Sequence, residues 1–305
     1  MKNNLKLSTL TLLLLFLGLM SIEAQELIEK SFSGIQKLEI KSSGIPIKYE
    51  GQEGLKEISL NALLGENEIT DKSLIMVTVG NTLKIAYNPP KGNWNSKKHI
   101  HLKGPTNLLL DIKSGSGTLA VSGVDASETH LEISSGQVNV ENLAGKIWIK
   151  GSSGNLNLQK ISGNVSCRLT SGNASLSNIE GDVDFKANSG QLKAQEVAGI
   201  LNASLTSGNM RLENIGELGR LEITSGNIKA NHAGLGKSTQ LSGSSGNIQI
   251  STPSDFKTYN FDLQAGSGNI RINQQSKSKS LVIRNGNYPT IKGKISSGNI
   301  VIQPI

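Results

Sequence analysis

The run SGNASLSNIEGDVDFKANSGQ, Ser171 to Gln191, contains one repeat of the chain and the start of the next. Ser171-Gly172-Asn173 opens it, Ser189-Gly190-Gln191 opens the following copy eighteen residues later, and Gly181 falls midway. Between these points apolar residues take every second place, as in Ala174 and Leu176 or Val183 and Phe185. A period of two buries one face of a strand and leaves the other wet.

The same spacing runs in both directions. Gly136, Gly154, Gly172, Gly190, Gly208 and Gly226 are each preceded by Ser and followed by Asn or Gln, while Gly145, Gly163, Gly181 and Gly199 sit nine residues out of phase. Alignment on these glycines stacks Val138, Leu156, Ala174, Leu192, Met210 and Ile228 in one column and Val140, Leu158, Leu176, Ala194, Leu212 and Ala230 in the next. Leu143, Ile161, Ile179, Val197 and Ile215 close that segment; Ile147, Val165, Val183 and Leu201, then Ile149, Cys167, Phe185 and Ala203, form the opposite one. A fixed period marks units that bury little alone and a continuous core when stacked.

The spacing therefore predicts an all-β fold: a parallel β-solenoid, flattened into a two-sheet β-roll of about 18 residues per coil. Right-handed winding is the rule for parallel crossovers. Glycine suits corners that need a positive φ or a close backbone approach. Stacked corner amides are expected to hydrogen-bond from coil to coil. Leu169 is expected to face inward with its column and Trp148 outward, between Ile147 and Ile149; Asp182 and Asp184 are both expected to face solvent.

Lys2 and Lys6, the apolar run Leu10–Met20 and the small residues around Ala24 read as a signal peptide over 1–24. Residues 25–113 keep Ser-Gly corners, such as Ser43-Gly44, but with irregular spacing, and read as a β cap continuous with the repeats of 114–305. After Gly226 the period loosens, with corner glycines at Gly246, Gly268 and Gly298, and Pro304 is expected to blunt the last strand edge.

With Cys167 alone, no intramolecular disulfide can form, and that residue reads as an apolar filler. The net charge is +7, but charges of both signs are scattered and aromatics make up 4%, against the clustered cations and stacking rings of a nucleic-acid surface. Mild attraction to anionic polysaccharide or membrane surfaces is compatible with that balance.

Phe32-Ser33-Gly34-Ile35, Gly80-Asn81-Thr82-Leu83-Lys84-Ile85 and Pro105 leading into Ser114-Gly115-Ser116-Gly117 resemble the head GIN domain of auto-transporter adhesins. The Ser-Gly-Asn coils look like the related bacterial adhesin β-repeat family, and together the resemblance covers about residues 30–300. It implies an exported β-solenoid of the kind common in Bacteroidetes-type bacteria, with adhesion as its role and no catalytic residues to carry over.

Motifs that suggest chemistry lack their structural setting. Gly115-Ser116-Gly117-Thr118-Leu119-Ala120 has dinucleotide-fold letters and Gly234-Leu235-Gly236-Lys237-Ser238-Thr239 half a P-loop, but strand patterns follow both where a helix is required. His99 and His101 share a strand face, too few ligands for a metal centre. The glycine turns carry Asn or Gln where calcium rolls carry Asp. Neither a cofactor nor a metal nor a catalytic group is expected. The candidate surface residues are Trp148, Trp94, Asn155, Asn173, Asn209 and Asn227. The sequence thus points to a non-catalytic adhesin-like solenoid, in the periplasm or on the surface of a Gram-negative bacterium, that binds a glycan or a cell-envelope partner. A periplasmic structural or signalling module without its own ligand is the alternative, and a polysaccharide-acting β-helix enzyme the remote one.

Overall fold

A computed structural model describes residues 25–65, 73–88 and 98–305 of the protein. The signal-peptide reading of 1–24 lies outside them. Apart from one 3-10 turn at Phe256–Thr258, the regular structure of the described residues is β.

The regular coils show why the eighteen-residue period matters. Strand β10 (Gln137–Gly151) pairs in parallel with β11 (Asn155–Ser162) through Val138↔Leu156 and Val140↔Leu158, and with β12 (Val165–Ile179) through Ile147↔Val165 and Ile149↔Cys167. The same step joins β12 to the long β13 (Val183–Thr252), with Gly172↔Gly190 and Asn173↔Gln191 opposite one another. Each predicted inward column is buried. Bulky members such as Leu176, Val183 and Phe185 each favour the stack by roughly 1.5–3 kcal/mol, less than ordering a whole lone coil costs. Stability therefore belongs to the stack. Leu169 differs from expectation: it packs against the core but is only partly buried, since its stack neighbours Gly151 and Ala187 are too small to cover it, whereas Ile133 and Leu205 at the same place in other coils are buried.

At the first corner, Gly136, Gly154, Gly172, Gly190, Gly208 and Gly226 have φ between 118 and 139°. Their second requirement is closer still. A Cβ on Gly190 would collide with the carbonyl oxygen of Gly172, and one on Gly208 with that of Gly190. At the second corner close approach is the requirement that most glycines meet. Gly145 has φ 85°, but Gly163, Gly181 and Gly199 are absent from the left-handed region; they are needed only for close approach to the coil below. The left-handed turn is carried three residues earlier, by Asn142, Lys160, Asn178, Glu196, Asn214 and His232, with φ of 49–57°. Asp182 is exposed as expected, and it also bonds to its neighbours. Its backbone N–H donates to Asn164 Oδ1, and its own Oδ1 accepts from the N–H of Ile200, so it ties three coils together.

Both ends turn antiparallel. At the N-terminal end β1 (Gln25–Ser33) pairs with β4 (Glu57–Gly65), which pairs with β7 (His99–Gly104). β7 then joins β3 (Ile47–Gly51) in parallel, and β3 continues onto β9 (Thr118–Ile133). On the opposite side β5 (Leu74–Val79) and β6 (Thr82–Tyr87) form an antiparallel hairpin; β6 leads through β2 (Lys37–Ser42) and β8 (Leu109–Ser114) onto the same β9.

The C-terminal coils depart from sequence order. β16 (Thr290–Pro304) inserts between the end of β13 and β14 (Asn260–Ile272), with Gln249↔Val301 on one side and Arg271↔Val301 on the other. β15 (Gln275–Ile283), antiparallel to β14, covers the final edge. Pro304 is thus not on an edge strand as expected: β16 is an inner strand, and Pro304, itself exposed, stands opposite Thr252 on one side.

Two tests follow. Gly190→Ala is expected to cost several kcal/mol, combining left-handed strain with collision into rigid backbone, whereas Gly34→Ala, with φ 71° and nothing within 4 Å of the added carbon, should cost about 1 kcal/mol; urea melts of both variants check the ranking. Burial pushes the Cys167 thiol up to about 12. Aromatic-disulfide titration is expected to find it unreactive in the folded protein and fully reactive in denaturant.

Candidate functional site

The candidate residues divide between two separate surfaces. Asn155, Asn173, Asn209 and Asn227 occupy the position after each first-corner glycine, where the chain leaves the turn and re-enters a strand. That position is outward and exposed, so their amides stack along the corner edge. Asn173 Nδ2 donates to Asn155 Oδ1 at 3.2 Å, and Asn227 Nδ2 to Asn209 Oδ1 at 3.2 Å. Beyond them Asn247 donates to Asn227 at 3.1 Å and Asn299 to Asn247 at 2.9 Å, following the spatial order of the coils rather than the sequence order.

This edge lines an open groove of about 580 Å³. Its outer wall is the next outward column, two residues on, where Asn157, Ser175, Lys193, Arg211 and Lys229 follow one another coil by coil. Gln191 takes the ladder position in the middle, yet its side-chain amide has no hydrogen-bond partner among the described residues. The ladder is interrupted there, because the longer Gln side chain breaks the in-register stacking of Asn on Asn. Sequence reading found the ladder but not the groove, whose wall is visible only once residues eighteen apart are placed side by side.

Trp148 lies on the other sheet, opposite His130 of the preceding coil. It is 44% exposed, as its outward position implied. The two rings stack with centroids 6.2 Å apart and planes 16° from parallel. They line a shallow depression of about 280 Å³ with Glu132, Lys150, Ser166 and Arg168 among its walls. Arg168 pairs with Asp184 at 3.3 Å and Lys150 with Glu132 at 3.8 Å, so charge there is partly compensated. The depression presents an aromatic face ringed by polar groups, a form suited to a sugar ring or a small polar partner. It shares no residue with the Asn groove. Trp94 lies outside the described residues.

Other chemistry-bearing groups have structural explanations. His99 and His101 stack at 4.1 Å across from Asn61, and burial, with His99 alongside, holds the His101 pKa below its usual value. Among the described residues no cluster of three metal-ligating side chains occurs. The P-loop-like Gly234–Thr239 is strand, and its Thr239 Oγ1 accepts from the Gly236 N–H at 2.9 Å. The residues after Gly117 are strand as well.

Comparison with known proteins places this architecture. The family model described as Toastrack DUF4097 matches residues 99–197 and 147–303. No curated protein matches the chain. Among solved structures, a "putative adhesin" of Bacteroides fragilis is 14% identical with a TM-score of 0.30, over 93% of this chain and 99% of that one. A "putative lipid binding protein" of Parabacteroides distasonis is 17% identical at TM-score 0.42, over 92% and 96%. A "putative cell adhesion protein" of Clostridium sporogenes is 12% identical at TM-score 0.29, over 92% and 100%. Likeness at this level says nothing of what the present groove holds.

The ladder itself can be weighed by mutation. Asn227 donates to Asn209 and accepts from Asn247, so Asn227→Ala is expected to lower stability by about 1–2 kcal/mol. Gln191→Ala removes no bond and should stay within about 0.5 kcal/mol of wild type. Paired denaturant melts decide whether the amide contacts carry weight.

Proposed function

The chain belongs to the Toastrack DUF4097 family, and from that premise we propose that it is an exported, non-catalytic, adhesin-like solenoid whose repetitive polar surface binds a glycan or a cell-envelope partner. The observation that carries this reading is the groove itself, in which Asn155, Asn173, Gln191, Asn209 and Asn227 repeat one recognition chemistry over five coils. Weak contacts repeated at a fixed spacing combine into strong attachment to a polymer or an arrayed surface. The Trp148–His130 face offers a second contact on the opposite sheet.

The remaining features belong to the same proposal. Residues 1–24 direct export, 25–113 cap the repeats of 114–305, and Trp94 adds an aromatic contact. The head-GIN likeness of Phe32–Ile35 and Gly80–Ile85 lies before the residues matched by the family model, and supports an adhesive role at the bacterial envelope. One observation favours the alternative of a spacer or signalling module: part of the Asn ladder's bonding capacity is spent between its own members.

A glycan array combined with pull-downs of envelope components separates these readings. The purified protein is expected to retain at least one glycan or envelope component, with binding reduced about tenfold or more in an Asn173→Ala/Asn209→Ala variant, in Trp148→Ala, or in both. Silence against every component would leave the spacer reading.

A further inference from the structure

We infer that the Asn groove is a cleft for a linear acidic polysaccharide, with Lys193, Arg211 and Lys229 answering its carboxylates or sulfates and the corner amides holding its hydroxyls. The inference deepens the reading of the solenoid as a recognition surface and rests on it.

The three cations follow one another in a single outward column over three consecutive coils. All three are exposed, and none has an ion-pair partner among the described residues. The adjoining column carries one acidic group in these coils, Glu213, two residues from Arg211. It accepts a hydrogen bond from Gln195 at 3.3 Å and forms no ion pair with Arg211. On the other sheet, the neighbouring cations Lys150 and Arg168 have carboxylate partners. Three like charges held about 4.8 Å apart per coil repel one another unless an anion lies along them. A cation column set in a concave groove concentrates its field there.

The break in the amide ladder coincides with the first of these cations. Gln191 has no side-chain partner and precedes Lys193 by two residues, on the same strand face. Its amide supplies free donors and an acceptor at the groove's centre, the chemistry that hydroxyls require. One coil advances about 4.8 Å along the rod, close to the advance of one extended pyranose unit along a polysaccharide. Lys193 and Lys229, two coils apart, thus match acidic groups on alternate sugars.

The groove's chemistry also discriminates between polyanions. Single-stranded nucleic acid is held by aromatic side chains stacked on its bases, and no aromatic residue lines this groove. Docking on a lipid surface buries exposed apolar side chains, whereas the apolar lining residues here, Leu156, Leu192 and Met210, are already 1–3% exposed beneath the polar walls.

The test uses immobilised polygalacturonate as the carboxylate probe, dextran sulfate as the sulfate probe and neutral dextran as the blank, over a salt series. Wild-type protein is expected to bind one or both acidic polymers, more weakly as salt rises. Lys193→Gln/Arg211→Gln/Lys229→Gln should lose at least tenfold in affinity with a shallower salt dependence, and Gln191→Ala severalfold. The control Lys56→Gln/Lys257→Gln/Lys277→Gln, which removes the same charge from exposed sites elsewhere, should lose less than twofold. Circular dichroism and melting of each variant show that the fold is retained. Equal losses in the two triple variants, no wild-type binding to either acidic polymer, or tighter binding to single-stranded DNA or anionic vesicles would overturn the inference. If the groove triple keeps full binding to a glycan or envelope component found on the array, the acidic-polysaccharide assignment fails while the recognition reading stands; if wild type binds nothing at all, both fail.

Discussion

The structure depends on the approach of one backbone to the next at the first corner. The carbonyl oxygen of each corner glycine occupies the space where a Cβ of the next would stand, as Gly172 does for Gly190 and Gly208 for Gly226. A side chain there would push the coils apart or out of register. With glycine, the sheet hydrogen bonds close at their normal spacing of about 4.8 Å, and the step between partners is eighteen residues wherever the repeat is regular. Register then determines everything displayed outside. Asn stacks on Asn, Lys193 comes to lie beside Arg211 and Lys229, and Trp148 meets His130.

The same constraint acts where the period loosens. Gly246 meets Gly226, Gly298 meets Gly246, and Gly268 meets Gly298, so the corner glycines align in an order the chain itself does not follow. The last segment of sequence fills a slot inside the rod, and β15 lies antiparallel over the end. Antiparallel strands at both ends present something other than a bare parallel coil to solution. That arrangement limits templated growth of rod on rod.

The sequence was most legible where geometry is strictly periodic. All five inward columns could be read, because alternation and the glycine period agree in phase and packing follows them residue by residue. The corner amides were legible too, since their identity repeats. The left-handed residues of the second corner were not, because Asn142, Asn178 and Asn214 alternate with Lys160, Glu196 and His232, which share their conformation but not their chemistry. Nor was the order of the final coils: corner signatures at Gly246, Gly268 and Gly298 are nearly alike, and adjacency among them depends on loop paths such as Thr252–Asn260. The groove stayed hidden for a related reason. Its wall is made of residues that are ordinary surface positions in any one coil and become a cation row only when three coils are superposed.

Coil order and register together are tested most directly by oxidative cross-linking in a Cys167→Ala background. Gln249 and Val301 face each other on adjacent strands, while Arg271 lies one strand further on. Cysteines at 249 and 301 are therefore within the reach of a disulfide, and cysteines at 249 and 271 are about two strand spacings apart, beyond the roughly 7 Å limit between Cα atoms. The expected result is efficient cross-linking of the Gln249→Cys/Val301→Cys protein and none in Gln249→Cys/Arg271→Cys. The reverse pattern, with the pair nearer in sequence joining instead, would contradict the stacking on which the fold and its surfaces rest.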